Sequence, residues 1–156
     1  MISVQEEIRA SGRLKLKIIR GDNLICEQMI KNLIVMQGRH NAACLLGGGT
    51  GMHVSHIGVG SGRDEAQSTD TGLTNAVKVA VTPRVATGLE AEDGSTFDDP
   101  KTVQFHFRIG KTAANIAIGE YGLFCADGTL FSRIVRESVF NKTNLEQIVG
   151  FWQIEF

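Results

Sequence analysis

Apolar and polar side chains alternate from Arg13 to Ile19, with Leu14, Leu16 and Ile18 set between Arg13, Lys15 and Lys17. A period of two belongs to a strand with one buried face. The turn formers Gly21, Asp22 and Asn23 follow Arg20, and Leu24 to Ile30 returns, so residues 13–30 predict a β-hairpin. The triplet Arg20-Gly21-Asp22 is read as that turn and not as an integrin-type motif. At Asn32 the period changes. Leu33, Met36, His40, Ala43 and Leu46 recur at helical spacing, Asn32 suits an N-cap, and Gly47-Gly48-Gly49 ends the run. These signals predict a helix over about 32–46.

Strand spacing resumes at His53 to Gly60, through Val54, Ile57 and Val59. Val77, Val79 and Val81 predict another strand, broken near Pro83, which lacks the N–H that a ladder needs. Residues 88–101 are polar and predict a loop. The last third is the most regular. In Thr102–Ile109, Val103, Phe105, Phe107 and Ile109 face one way and Gln104, His106 and Arg108 the other. Ile116–Phe124 and Thr129–Val135 follow, the second after the hairpin signal Asp127-Gly128. Ile148–Phe156 puts Ile148, Trp152, Ile154 and Phe156 on one face around Gly150. Short strands joined by turns predict a mainly-β fold: a β-sandwich, jelly-roll-like or immunoglobulin-like, with an N-terminal hairpin and one α-helix. The predicted organisation is an N-terminal β-hairpin arm over 1–30 and a single β-sandwich domain over 31–156.

The chain has 156 residues and a mass of 16.9 kDa, enough for one domain with its own core. With 42% hydrophobic and 21% charged residues it is expected to fold. A net charge of -1 argues against a general nucleic-acid binder. The sequence has no apolar run of about 18 residues, so no membrane span is expected. The stretch MISVQEEIRA has no apolar signal core, so secretion is not expected either. Every Phe, Tyr and Trp lies between Phe97 and Phe156, which predicts that the large-side-chain core is built there.

Candidate chemistry is sparse. The glycine run 47–49 follows a helix instead of opening one, and lacks the Lys-Ser/Thr ending of a phosphate loop. Gly58-Val59-Gly60-Ser61-Gly62 resembles part of a dinucleotide fingerprint, but no amphipathic helix follows it. His53 and His56 are three apart on a strand and point to opposite faces. Glu92, Asp93, Asp98 and Asp99 lack EF-hand spacing and read as a solvated loop. Cys125 has no local catalytic signature, and His106 reads as an outward-facing strand residue. Glu120, inside an apolar stretch, reads as a structural carboxylate that accepts from backbone or Arg133. Cys26, Cys44 and Cys125 lack metal-finger spacing and read as reduced thiols, with pairing between subunits left open. No catalytic, cofactor-binding or metal-binding residue is assigned, and the expectation is a non-enzyme.

The order of pieces carries a resemblance. After the hairpin come NLIVMQGRHNAACLLGG, HVSHIGVGSG and DTGLTNAVK, then FHFRIG, IAIGEYGLFCADGTLFSRIV, FNKT and IVGFWQIEF. The most specific part runs from Ile118 to Arg133, followed by Asn141-Lys142. Over residues 24–156 the chain resembles small tailed-bacteriophage virion proteins of the tail-fibre, collar and neck-appendage kind. The resemblance implies a structural subunit of the virion, made in the bacterial cytoplasm, that forms a symmetric homo-oligomer at the tail, neck or collar. Its implied partners are itself and other phage virion proteins, with no cofactor, nucleic acid or membrane. The hairpin at 13–30 is expected to reach a neighbouring subunit, so that a chain without residues 1–30 would fold but not assemble. The alternative is a capsid-decorating or carbohydrate-binding β-sandwich, for which Trp152 and Tyr121 are the aromatic candidates.

Overall fold

The computed structural model describes residues 10–156, so the first nine residues of the expected arm lie outside the described part. The elements are β1 (Ser11–Arg20), β2 (Asn23–Lys31), β3 (Leu33–Ile34), α1 (Met36–Leu46), β4 (Val54–Gly60), β5 (Val77–Ala80) and β6 (Thr82–Val85). They continue with β7 (Leu89–Glu90), β8 (Thr96–Phe97), β9 (Thr102–Ile109), β10 (Ala117–Cys125), β11 (Leu130–Asn141) and β12 (Glu146–Glu155). The fold is mainly β, with two five-stranded antiparallel sheets in a sandwich-like arrangement. Sheet A runs β2-β1-β12-β9-β6 and sheet B runs β3-β11-β10-β4-β5. One apolar cluster joins them. Leu14, Leu16, Ile18, Phe107, Ile148 and Trp152 come from sheet A, and Ile57, Val59, Tyr121, Leu123 and Ile134 from sheet B.

The two open sides of the sandwich are stitched by short crossings. Asn32 carries the chain from β2 at one edge of sheet A to β3 in sheet B, and Val81 carries it from β5 back to β6. Pro83 sits in β6, an edge strand, where its missing N–H interrupts no ladder.

Four expectations are corrected. The hairpin β1–β2 forms, but it is no appended arm: β1 lies between β2 and β12, in register from Ser11↔Glu155 to Arg20↔Glu146. Leu14, Leu16 and Ile18 are fully buried in the common core. Asn32 is not a helix cap. Its N–H donates to Gly12 O at 3.1 Å at the sheet crossing, and α1 starts after an extended Val35 with no side-chain cap. The helix also buries a different face. Gly38 and Asn41 are its buried residues, whereas Met36 and Leu46 are exposed. Gly38 lies against the backbone of Phe131, and the Asn41 amide donates to the Asp127 carboxylate at 3.3 Å. Close docking selects small and polar positions there, which a search for large apolar residues reads backwards. Finally, the loop over 88–101 contains the β7–β8 ribbon, and Leu89 is fully buried.

Candidate functional site

The segment carrying the resemblance builds a scaffold on the outer face of sheet B. Glu120 is almost fully buried. One of its carboxylate oxygens accepts Arg133 Nε–H at 3.0 Å; the other accepts the N–H of Gly62 and, at 3.2 Å, that of Thr74. Arg133 also donates to Asp70 Oδ2 at 2.8 Å and to the Asp64 carbonyl at 3.0 Å. Burial works to lower the Arg133 pKa, but the bonds to Asp70 and Glu120 outweigh it and the net shift is upward. The two ion pairs of Arg133, with Glu120 and Asp70, thus help tie residues 61–76 down on the sheet. Arg63 adds to the tie by donating to the carbonyls of Arg136 and Glu137 at 2.8 and 3.0 Å.

The glycines make room for that loop. Gly58 pairs with Gly122 and Gly60 with Glu120 across β4 and β10. A Cβ on Gly58 would stand 2.5 Å from the Phe124 ring, and one on Gly122 would stand 2.9 Å from Leu130 Cδ1. A Cβ on Gly62 would run into the Glu120 carboxylate. Above this trough Leu73 packs on Val35, Phe124 and Leu130. The glycine pattern that resembles a dinucleotide fingerprint is therefore a loop seat, and Glu120 and Arg133 are paired as the sequence suggests.

The outer face of sheet A is covered by β7–β8. Gln104, on the face of β9 opposite Phe105 and Phe107, is fully buried: it donates to Glu90 O at 2.8 Å and accepts the Glu90 N–H at 2.8 Å. His106 Nε2 lies 2.9 Å from Gln104 Oε1, and its ring lies 5.2 Å from that of Phe151. Burial pushes the His106 pKa down, with the charge of Arg84 adding to this and that of Glu90 opposing it. Lys15 reaches from β1 to the Glu92 carbonyl beneath the same ribbon. These contacts anchor the ribbon.

The other singled-out residues do not converge. Asp93, Asp98 and Asp99 each accept a local backbone N–H, from Ser95, Gly88 and Lys101 respectively. Among the described residues, no group of three or more His, Cys, Asp or Glu side chains is placed to hold a metal ion. Cys26, Cys44 and Cys125 are free thiols; Cys125 is buried, which raises its pKa, and the other two are half-buried. Trp152 and Tyr121 are both 0% exposed, so neither presents a ring face to a sugar. Arg136 donates to the Tyr121 hydroxyl at 2.9 Å, and burial holds the phenol pKa above its usual value.

What remains is an apolar mouth of about 670 Å³ at one end of the sandwich. One wall is the end of α1, with Ala42, Leu45 and Leu46. The opposite wall is sheet A, with Val103, Ile154 and Phe156 and the β6 residues Pro83 and Val85; Val54 and Phe131 of sheet B close the floor. Among the described residues, His53 is the one polar side chain in the lining. The rim is open to solvent: Leu46 is 93% exposed, Val85 65% and Phe156 56%. What this lining offers is burial of apolar area. A contiguous exposed apolar surface of this kind marks an interaction site. Periodicity does not reveal the mouth, because Leu46 and Phe156 fit helix and strand spacing and so read as core-facing. The available signal was position: Leu45-Leu46 directly precede the terminating glycines, and Phe156 follows the last strand residue.

Comparison with protein-family models, curated proteins and solved structures gives no match to this chain.

Proposed function

We propose that this chain is a non-enzymatic structural subunit of a tailed-bacteriophage virion, assembling as a symmetric oligomer at the tail, neck or collar. The observation that carries the assembly part is the open apolar mouth: exposed leucine, valine and phenylalanine side chains rim a lining with almost no polar chemistry. Burying such a surface against protein is favourable at about 25 cal/mol per Å² of apolar area. A closed symmetric assembly does this for every subunit at once. The virion part rests on the resemblance of residues 24–156. Its most specific stretch, Ile118–Arg133, supplies scaffold contacts through Glu120, Gly122 and Arg133, as suits a protein whose task is to hold shape. The buried rings of Trp152 and Tyr121 count against the carbohydrate-binding alternative.

The test is quantitative mass spectrometry of tailed particles purified from the host that carries this sequence. The proposal predicts the chain in intact particles, at a fixed copy number that is a multiple of the tail or neck symmetry. Its absence from particles while abundant in the lysate would overturn the virion assignment.

A further inference from the structure

The mouth needs an occupant, and the strand directions point to one. Ser11 at the start of β1 pairs with Glu155, and Glu155 in turn with Thr102, so β1 begins at the same end of sheet A as Phe156 and Val103 of the mouth. From there β1 runs inward, toward Arg20 opposite Glu146. At Ser11, the described start of the strand, β1 therefore points outward past the rim, and residues 1–9 precede it in the sequence. This segment reads MISVQEEIR and carries Met1, Ile2, Val4 and Ile8 as apolar side chains. Nine residues reach at most about 30 Å, and the mouth begins within one strand spacing of β1, about 4.8 Å. To enter its own mouth the segment would have to reverse within a few residues of Ser11. A second copy placed mouth to mouth receives it without that reversal.

We infer that the mouth is the docking site for residues 1–9 of a second copy of this chain, exchanged reciprocally about a twofold axis. The inference rests on the assembly reading above and names its interface. The interface is isologous: each copy gives one segment and receives one, so the contact closes on itself and both mouths are covered. The lining, with His53 as its one polar side chain among the described residues, suits Ile2 and Val4, which share a face at the tip of an extended segment, and Glu6 and Glu7 stay in water at the rim. The free edge of β6, whose four residues are all exposed, lies beside the mouth and offers backbone groups to an extended partner segment.

The experiment compares the full chain with the full-length variant Ile2→Asp/Val4→Asp/Ile8→Asp. It measures native mass by light scattering, and the fluorescence of anilinonaphthalene sulfonate as a probe of open apolar surface. Near-ultraviolet circular dichroism of Trp152 confirms an intact sandwich in both. The expected result is a dimer, or a multiple of it, for the parent with little dye fluorescence. The variant should fall to one chain of 16.9 kDa, with a several-fold rise in dye fluorescence. Leu46→Glu, at a 93% exposed position on the receiving side, should lower the mass in the same way. A variant that keeps the parent's mass would overturn the exchange and leave the assembly reading standing. A monomeric parent that excludes dye until the segment is mutated would overturn it in favour of each segment filling its own mouth. A parent that is monomeric and dye-binding at every concentration would overturn both the exchange and the assembly reading.

Discussion

Glu120 and Arg133 sit thirteen positions apart on neighbouring strands, and each is nearly removed from water. A buried charge without its partner is costly, about 3–5 kcal/mol when one member of such a pair is lost. Glu120→Ala is accordingly expected to cost several kcal/mol, read as a lower urea midpoint. It should also free residues 61–76 to exchange their amide hydrogens. A stability loss without faster exchange in that loop would show that the pair does not hold it. The pairing was legible in the sequence, because a lone carboxylate in an apolar strand calls for a nearby donor. The rest of the network was not: Gly62, Thr74 and Asp70 belong to a stretch without periodicity, and only the fold brings them to Glu120. His106 shows the same limit. Alternation points it outward from the core, yet the ribbon β7–β8 lies over that face and burial lowers its pKa. With the folded pKa below that of the unfolded chain, the unfolded state binds more protons in the interval between them. Stability should therefore fall as pH drops from about 6.5 toward the folded pKa. His106→Gln should flatten this part of the profile of urea midpoint against pH, and an unchanged slope would rule the histidine out as its source.

Helix α1 and strand β9 mark the two extremes of what periodicity can see. β9 occupies Thr102–Ile109, the same bounds that its alternation predicts, because its core-facing aromatic and aliphatic residues dominate the pattern. In α1 the pattern pointed to the wrong face, because the helix approaches β11 too closely for side chains. Gly38 makes this testable. In an exposed helix Gly→Ala gains about 1 kcal/mol. At Gly38 the new Cβ would press into the carbonyl of Phe131, and the sign should reverse, with a loss of about 1–3 kcal/mol as for an overpacked core. A higher urea midpoint for Gly38→Ala would contradict the close docking. The glycines of β4 and β10 follow the same logic. Gly58, Gly60 and Gly122 weaken their strands locally and leave a trough that accepts the 61–76 loop. Sequence reading could recognise that these glycines open no nucleotide-binding helix, but what fills the trough depends on long-range packing.

Over the described residues the molecule is a sandwich sealed along both sides and open at one end. Because β1 is an interior strand, the hairpin cannot be removed without splitting sheet A and withdrawing Leu14, Leu16 and Ile18 from the core. A chain lacking residues 1–31 should show no dispersed amide spectrum. A well-dispersed spectrum would mean that the hairpin is the detachable arm its sequence suggested. The mainly-β class and most strands were readable from alternation alone; the open end was not, since an inward-facing residue is apolar whether or not another layer covers it. The measurement that bears most directly on assembly through that end is sedimentation velocity of the full chain and of Leu46→Glu over a wide concentration range. Discrete oligomers for the parent and a single chain for the variant are the expected result. A parent that sediments as a monomer throughout, or an oligomer indifferent to Leu46→Glu, would contradict assembly through the apolar mouth.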